Sequence, residues 1–420
     1  MNRTSVRASG WSGYDRGAPE LRRITCALFA AGFAVFAQVF GAQAILPAVS
    51  ADLRIGASSA ALMVSATTLG LAASVLPWAW LADRIGRVPA MKISIVAATV
   101  LGFSAPLLPT FEGVILARVA LGLALGAVPA VSIAYLAEEL AASRVAVAAG
   151  IFVAGNTFGG ICGRLIAGPL SHLLGWRPAM LVVAALAAVA ATAFVVLIPR
   201  ARGFRANGAQ PFPLRTRILF QLRDPVMLGL YAQGFLLMGA FGAVYNYFGF
   251  RLLQPPFSVP SALVGLLFAA YFFGTLASRV SGGRVARFGA LPVILTGIAL
   301  MLIGLALLLT PTLPGVIAGL VIFTIGCFTA HPVASGQSGI RAQLGRAQAT
   351  ALYQLCWLGG TALFGWVAGI VYDLNGWPAT VSVVGSLCLA AAVIAVLGLR
   401  VFAGRRPALP RLASDGLSPE

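Results

Sequence analysis

Residues 59–109 read SAALMVSATTLGLAASVLPWAWLADRIGRVPAMKISIVAATVLGFSAPLLP. Two apolar runs, 59–82 and 89–109, are joined in this stretch by the short charged turn DRIGRV. Each run is about as long as the roughly 20 apolar residues that cross a bilayer as a helix. Neither run shows the alternation of apolar and polar residues that is typical of membrane β-strands. The stretch therefore predicts two antiparallel transmembrane helices joined by a turn at 83–88.

The same pattern continues along the whole 420-residue chain. The composition is 60% hydrophobic and 10% charged, with a mean hydropathy of +0.94, whereas soluble domains carry about 25% charged residues. These values exclude a soluble enzyme and a disordered chain. The apolar runs number twelve and lie at approximately 24–49, 59–82, 89–109, 112–136, 145–171, 176–198, 225–250, 260–281, 290–310, 313–333, 347–371 and 377–400. We therefore predict an all-α membrane protein with twelve transmembrane helices.

The distribution of positive charge predicts the orientation of these helices. If the N-terminus is placed in the cytoplasm, 24 of the 29 Lys and Arg residues fall in cytoplasmic tails, turns and adjoining run ends, three fall on the opposite side, and two, Arg118 and Arg164, lie deeper inside runs. Cytoplasmic loops of membrane proteins are rich in Lys and Arg, so we expect both termini in the cytoplasm. The net charge of +18 does not predict a nucleic-acid partner, because the charges are spread over short turns and not concentrated on a polar domain.

An internal duplication is also visible in the sequence. Four positions recur 201 residues later, namely Gly159, Gly168, Gly175 and Trp176 as Gly360, Gly369, Gly376 and Trp377. The longest gap between runs, 199–224, contains six arginines and divides the runs into six and six. We interpret the gap as a linker whose charges set the topology, with contact to anionic lipids as the alternative. The predicted parts are an N-tail at 1–23, a six-helix bundle at 24–198, the linker at 199–224, a second six-helix bundle at 225–400 and a C-tail at 401–420. Two such repeats are typical of transporters with a site between their lobes.

The turn of the opening stretch carries a specific motif. Its pattern L-A-D-R-x-G-R is formed by Leu81, Ala82, Asp83, Arg84, Gly86 and Arg87. It resembles the signature loop of the major facilitator superfamily, G-x-L-A-D-R-x-G-R-[KR], with Ala79 and Val88 in place of the first glycine and the last basic residue. In that family the loop steadies one conformation of a gate, and Glu139 or its neighbour Glu138 is positioned to pair with it here. The resemblance implies a gating loop made of Asp83, Arg84, Gly86, Arg87 and Glu138.

Two arginines lie inside predicted helices, where a charge costs roughly 2.5–3.5 kcal/mol on insertion scales. Arg118 and Gly122 resemble the family's R-x-x-x-G signature, which is linked to proton coupling. The alternative for Arg118 is a side chain that extends to the membrane surface. Arg118 and Arg164 could together attract an anionic substrate group. The alternative for Arg164 is hydrogen bonding to helix carbonyls and nearby amides.

A glycine-rich stretch in the fifth run reads GNTFGGICGR over residues 155–164. Small residues at these spacings favour close contact between helices. The stretch is similar to the G-P-x-x-G-G signature of exporters in the superfamily, with Asn156 in place of proline. Together with the cluster at 245–247 and with His331, it resembles bacterial inner-membrane permeases of the arabinose-efflux-like and drug-efflux-like branch. That resemblance implies a multi-pass protein of the bacterial inner membrane.

Proton coupling needs a group that titrates, and all eleven acidic residues fall in loops, tails or helix ends. The candidates are therefore Arg118, His331 and Glu138. His331 titrates in the physiological range, with a packing role as its alternative. Glu138 has an ion pair with Arg87 as its alternative.

Polar residues on the helices expected to line a central cavity are the candidates for substrate contact. They are Gln38, Gln43, Asn156, Arg164, Gln233, Tyr245, Asn246, Gln354 and Trp357. Buried polar groups in a membrane face water or find partners, so each of them either contacts substrate or bonds to a neighbouring helix. As a group they favour a small polar or amphipathic solute.

We therefore expect proton-coupled efflux, by antiport, of a drug, sugar or other metabolite by alternating access. Proton-coupled uptake is the alternative in the same class, and a non-transporting receptor or scaffold with the same fold is the alternative from a different class. The sequence has no phosphate-binding glycine loop or catalytic set, so we expect no enzyme activity and no cofactor. The five cysteines lack metal-ligand spacing, so no metal is expected. The expected partners of this monomer are the lipid bilayer, a small-molecule substrate and protons.

Overall fold

The computed structural model describes residues 11–204, 213–401 and 404. Within these residues, eleven helices are long and apolar enough to cross a membrane, by length and composition. Spans 1–6 are Pro19–Leu53, Ala57–Ile85, Arg87–Leu107, Phe111–Glu139, Ala142–Leu174 and Trp176–Leu197. Spans 7–11 are Pro225–Leu253, Ser261–Phe288, Ala290–Leu307, Leu313–Arg341 and Gln348–Arg400. A short helix, Leu214–Leu222, precedes span 7.

Span 11 is where the helix count differs from the predicted twelve. It has 53 residues, which at 1.5 Å per residue is about 80 Å of helix, against a hydrocarbon core of about 30 Å. The predicted runs 347–371 and 377–400 are joined in it. Gly376, at their boundary, has non-helical dihedral angles (φ 73°, ψ −168°). Each of the other predicted runs overlaps one span over nearly its whole length.

Local sequence signals explain where two of the spans begin. The Thr110 hydroxyl accepts a hydrogen bond from the Gly113 backbone N–H at 3.2 Å at the start of span 4. The Asp224 carboxylate accepts one from the Val226 N–H at 2.9 Å at the start of span 7. Side-chain oxygens at this position satisfy backbone N–H groups that have no partner inside the helix.

Four glycine turns repeat between the halves of the chain. Gly86 and Gly175 in the first half have φ values of 99° and 85°, and Gly289 and Gly376 in the second have 84° and 73°. Only glycine adopts this region readily, because it lacks a Cβ. The matching turns separate spans 2 and 3, spans 5 and 6, spans 8 and 9, and the two parts of span 11, as an internal duplication predicts.

Helix packing repeats in the same way. A Cβ at Gly159 would collide with the backbone of Phe33 in span 1. A Cβ at Gly360 would collide with the backbone of Phe235 in span 7. Gly155 also approaches the span 1 backbone this closely, so the predicted glycine face of span 5 is the surface that packs on span 1.

One end of the molecule, which we call the basic end, gathers the arginine-rich turns of the first half. The Glu139 carboxylate accepts hydrogen bonds from the backbone N–H groups of Arg202 and Gly203 at 2.7 Å each, and the Arg87 guanidinium lies over the Phe204 ring. The turn at 83–88 and the described start of the linker therefore lie at the same end, as the charge pattern predicts. Residues 1–10, 205–212, 402–403 and 405–420, and with them Arg205 and most of the predicted C-tail, lie outside the described residues.

The N-terminal segment also contacts the basic end. Arg144 Nε donates to Asp15 Oδ1 at 2.7 Å, and Tyr14 N–H donates to the Glu139 carbonyl at 2.8 Å. The bond from Arg144, with a second from the Arg16 backbone N–H, holds the pKa of Asp15 below its usual value.

The two halves meet at the opposite end, which we call the closed end. The bonds between them are Gln43 to Asn246, Ser261 with His172, and the N–H groups of Ala57 and Ser58 to Asp373. Every hydrogen bond that joins residues 11–204 to residues 213–401 lies at this end. The described halves are thus joined at the closed end and bonded separately at the basic end.

Candidate functional site

Arg164 lies where the halves meet and is 2% exposed. Its Nε donates to Gln43 Oε1 at 2.8 Å and its Nη1 donates to the Gly160 carbonyl at 2.9 Å. Three aromatic rings surround its guanidinium carbon, at 4.5 Å for Phe40, 5.2 Å for Phe268 and 4.7 Å for Tyr271. Cation–π contacts of this kind stabilise a cation that has left water. No carboxylate pairs with Arg164 among the described residues.

Gln43 and Asn246 carry this network from one half to the other. Gln43 Nε2 donates to Asn246 Oδ1 at 2.7 Å, and Asn246 Nδ2 donates to the Gly365 carbonyl at 3.2 Å. Tyr247 Oη donates to the same carbonyl at 2.5 Å. Three of the predicted cavity residues, Arg164, Gln43 and Asn246, therefore form one continuous buried chain between spans 5, 1 and 7.

Asp373 closes the same end by a different contact. Its two carboxylate oxygens accept hydrogen bonds from the backbone N–H groups of Ala57 at 2.9 Å and Ser58 at 3.0 Å. Those groups are the first N–H donors of span 2, which have no acceptor within their own helix, and a negative charge is favoured at a helix N-terminus. Asp373 thus ties span 11 to span 2.

Arg118, which is also 2% exposed, bonds entirely within the first half. Its three nitrogens donate to the backbone carbonyls of Met63, Gln38 and Val39 at 2.8, 3.0 and 3.1 Å. Span 1 changes to 3₁₀ geometry at Gly41–Ile45, which leaves carbonyls at the end of its α-helical part without their usual N–H partner. Arg118 satisfies them, so it does not extend to the membrane surface.

The predicted gating residues form an ion-pair cluster at the basic end. Arg87 Nη1 donates to Asp83 Oδ1 at 2.5 Å, and its Nη2 and Nε donate to Glu138 Oε1 at 3.0 and 3.2 Å. Arg84 lies apart, stacked over the Trp80 ring at 3.8 Å. Gly86 makes the turn with its positive φ. The structure therefore brings Asp83, Arg87 and Glu138 together, and their gating role stays a prediction.

His331 forms a second buried group within the other half. Tyr353 Oη lies 2.9 Å from His331 Nδ1 and donates to the His331 carbonyl at 3.0 Å. The Trp357 ring centroid is 6.2 Å from that of His331. Gln354 is half-buried on the same helix. No carboxylate contacts His331 in the described ranges, so its part in proton coupling stays a prediction.

The remaining cavity candidates are not gathered at one place. Gln233 donates to the Ala391 carbonyl at 2.8 Å and so bonds two helices of the second half. Tyr245 Oη lies 2.7 Å from Thr324 Oγ1. Gln38 has no hydrogen-bond partner at either amide atom and lines a small cavity with Arg118. Asn156 Oδ1 is likewise unpartnered and faces Gly32 of span 1.

Sequence reasoning missed several residues of the closed end. Asp373 is one of the eleven acidic residues in loops, tails or helix ends, and its position in the sequence does not indicate its partners. Phe40, Phe268 and Tyr271 look like ordinary apolar residues of a membrane helix, since nothing in a single sequence pairs them with Arg164. Among the described residues, no group of three or more His, Cys, Asp or Glu could hold a metal.

Comparisons with known proteins agree with this architecture. The sequence model of the Major Facilitator Superfamily matches residues 28–259 and again residues 247–416. The inner membrane transport protein YnfM of Escherichia coli is 36% identical over 362 residues, which cover 86% of this chain and 87% of that protein. An uncharacterized MFS-type transporter of Bacillus subtilis, YybF, is 32% identical over 90% of this chain and 93% of its own.

Two solved structures share the fold. The bacterial homolog of the human lysosomal transporter Spinster, in an inward-facing and unoccupied conformation, has a TM-score of 0.69 at 17% identity, over 92% of this chain and 96% of that one. The nucleoside transporter NupG has a TM-score of 0.69 at 16% identity, over 93% and 100%. Placement in the arabinose-efflux-like branch stays a prediction. The chain belongs to the major facilitator superfamily and is a multi-pass membrane transporter.

Proposed function

We propose that this transporter moves a small solute by alternating access, with the halves 24–198 and 225–400 acting as two six-helix lobes around a central site. The observation that carries the proposal is the placement of the bonds between the halves. All of those described lie at the closed end, near Arg164 and Asp373. Two bodies that are hydrogen-bonded to each other at one end only can rock about the region between them.

The proposed topology has twelve crossings, with the break at Gly376 dividing span 11 into two. The basic end faces the cytoplasm, because its turns carry the excess of arginine. The protein then lies in a bacterial inner membrane, with both termini in the cytoplasm. The closed end faces the exterior, so the conformation is inward-facing.

The proposed direction is efflux and the proposed energy source is the proton gradient. The glycine-rich stretch 155–164, with its likeness to exporters of the superfamily, supports efflux. His331 supports proton coupling, because imidazole is the only side chain whose ordinary pKa lies between pH 5 and 8. Its bond to Tyr353 offers a neighbouring hydroxyl with which a proton could be exchanged.

A cross-link at the closed end tests alternating access. His172 and Ser261 lie in different halves with Nδ1 and Oγ 2.7 Å apart, so His172→Cys/Ser261→Cys in a chain without its native cysteines should form a disulfide. A thermal-shift screen of sugars, nucleosides, organic acids and cationic drugs first identifies a substrate. We then expect oxidation to stop the flux of that substrate in proteoliposomes and reduction to restore it.

The matched control is Tyr14→Cys/Leu140→Cys. Tyr14 and Leu140 are paired through backbone hydrogen bonds, from Tyr14 N–H to the Glu139 carbonyl at 2.8 Å and from Ala141 N–H to the Tyr14 carbonyl at 3.0 Å. Both residues belong to the first half, so their disulfide should leave the rocking motion and the flux intact. Full flux through the oxidised His172→Cys/Ser261→Cys protein would contradict alternating access at this end.

An imposed pH gradient tests the coupling. We expect the gradient to drive substrate accumulation in the parent protein, and His331→Gln to lose the gradient-driven part while downhill exchange continues. If acidifying one side of the membrane changes no flux, proton coupling is wrong.

A further inference from the structure

We propose that the Arg164 cluster is the binding site for an organic anion, a carboxylate carried on an aromatic or apolar body. The inference rests on the proposed function, since it assigns a substrate class to the site between the two halves. The juxtaposition that supports it is a buried, unpaired cation enclosed by rings from both halves.

The charge of Arg164 is not balanced by the protein. A cation that is 2% exposed has lost most of its hydration, which costs several kcal/mol unless an opposite charge or hydrogen bonds replace the water. Among the described acidic residues none forms an ion pair with Arg164; the described ion pairs involve Arg87, Arg144 and Arg341. An anionic ligand would supply the missing charge.

Two donors beside this charge have no acceptor in the part of the chain that the structure describes. Nε and Nη1 of Arg164 are used by Gln43 and Gly160, which leaves Nη2. The hydroxyl of Tyr271, whose ring lies 4.7 Å from the guanidinium carbon, also has no partner there. A carboxylate accepts from a guanidinium and from a hydroxyl at the same time, and such charge-assisted bonds are the strong ones.

Burial alone does not make an arginine a candidate anion-binding site, as a comparison with Arg118 shows. It is equally buried, but each of its three nitrogens donates to a backbone carbonyl. The sequence predicts that both arginines could attract an anion. Because the nitrogens of Arg118 are already used, we propose an anion site at Arg164 alone.

The surroundings of Arg164 select the rest of the ligand. Phe40, Phe268 and Tyr271 line the guanidinium, and Tyr245 stacks on Phe268 with ring centroids 5.5 Å apart. Such rings pack against an aromatic or apolar body, whereas a sugar or a free phosphate would need further donors and acceptors. One cation and one hydroxyl match a single carboxylate.

The site also depends on the position of the halves. Arg164, Gln43 and Phe40 belong to the first half, and Phe268 and Tyr271 belong to the second. Separation of the halves at the closed end would remove Tyr271 from the guanidinium and expose the ligand. An anion bound here is therefore released toward the side to which the closed end opens.

The experiment is equilibrium binding to the purified full-length protein in detergent, by isothermal titration calorimetry. The probes are benzoate and indole-3-acetate, each beside its neutral amide. We expect the parent protein to prefer each carboxylate, and Arg164→Gln to weaken carboxylate binding by about 10–100-fold while amide binding changes little. Tyr271→Phe keeps the ring and should cost roughly 3–10-fold for the carboxylates alone. Arg251→Gln is the charge-matched control. Arg251 is half-buried, donates to the Pro255 carbonyl and lies over the Phe257 ring, away from the Arg164 cluster, so this variant should keep the preference.

If Arg164→Gln does not fold, Tyr271→Phe and Arg164→Lys replace it in the binding measurement, because both preserve the packing around the site. A parent protein with no preference for carboxylate over amide overturns the proposal, as does a preference that survives the Arg164 and Tyr271 substitutions. Binding at equilibrium needs no transport, so failure here is distinct from failure of the cross-linking test of alternating access.

Discussion

Arg118 and Arg164 are buried to the same extent but use their guanidinium groups differently. Arg118 joins helices of one half through backbone carbonyls. Arg164 lies between the halves with rings from both. A charge inside an apolar run indicates that a residue is special, but its role depends on neighbours that come from distant parts of the chain.

Arg118→Met should lower the free energy of unfolding by about 1–3 kcal/mol, because the buried carbonyls of Met63, Gln38 and Val39 lose the hydrogen bonds that Arg118 donates. Arg84→Met is the control, since Arg84 stacks on the exposed Trp80 ring. Thermal unfolding in detergent measures both, and equal destabilisation by the two substitutions would contradict the role of Arg118.

The ion-pair cluster at the basic end should affect the balance between the two conformations of the transporter. Glu138→Gln keeps the shape of the side chain but removes the charge that faces Arg87. We expect the free-energy difference between the two conformations to change by about 1 kcal/mol, which is a roughly fivefold change in their ratio. Turnover should fall, and ligand affinity should not change. Glu112→Gln, at the exposed start of span 4, is the control. An equal loss of turnover in both variants would argue against a gating role for Glu138.

The ion-pair cluster at the basic end is predictable from the sequence, whereas the contacts at the closed end are not, for physical reasons. The spacing of Asp83 and Arg87 and the position of Glu138 predict their ion pair, because the residues lie in neighbouring turns at one end of the molecule. The Asp373 contact was not predictable, because its partners are backbone N–H groups of another helix and carry no side-chain signal.

Among the helices, hydropathy predicts the bounds of spans 1–10 closely. It predicts two helices where the structure has the single span 11. Residues 372–376 separate the predicted runs 347–371 and 377–400, yet the helix continues on both sides of the break at Gly376. Run lengths in the sequence cannot show this, because the break is a change of backbone angle at one glycine.

That break can be tested directly. Gly376→Ala should destabilise the protein by about 1–3 kcal/mol, because alanine is strained at a φ of 73°. Gly385→Ala, in the same helix with open space around its Cα, should be neutral or slightly stabilising. Thermal midpoints of the two variants give the comparison, and a neutral Gly376→Ala would show that the chain does not need the break.

The contact between spans 2 and 11 gives a conformational prediction. Asp373→Asn can accept only one of the two N–H groups and loses the charge, which costs about 1 kcal/mol and should shift the halves apart at the closed end. Ser65→Cys, a buried position facing Gly365, reports this through faster reaction with an impermeant thiol reagent, by about fivefold.

Asp52→Asn is the matched control for this shift. Asp52 lies at the same end and accepts a hydrogen bond from Trp176 Nε1 at 2.7 Å, but both residues belong to the first half. Its loss should leave the labelling rate of Ser65→Cys unchanged. Equal acceleration by both substitutions would mean that Asp373 has no special part in holding the halves together.

The whole molecule consists of two repeated halves whose described hydrogen bonds to each other lie at one end. The 201-residue offset in the sequence reappears as matching glycine turns and as matching contacts of Gly159 with Phe33 and Gly360 with Phe235. Charge bias predicts which turns share an end, and the contact of Arg87 with Phe204 agrees. Hydropathy and charge contain no information on which end is closed, because that depends on the balance between two conformations of similar energy.

The most direct test is a pair of spin-label distances in nanodiscs, measured by double electron–electron resonance. Ala51→Cys/Gln254→Cys reports the closed end and Gly150→Cys/Gly283→Cys reports the other, at positions that are exposed. We predict that Asp373→Asn lengthens the first distance and shortens the second, since the lobes rock as rigid bodies. Two distances that lengthen together, or that do not respond to Asp373→Asn, would contradict alternating access.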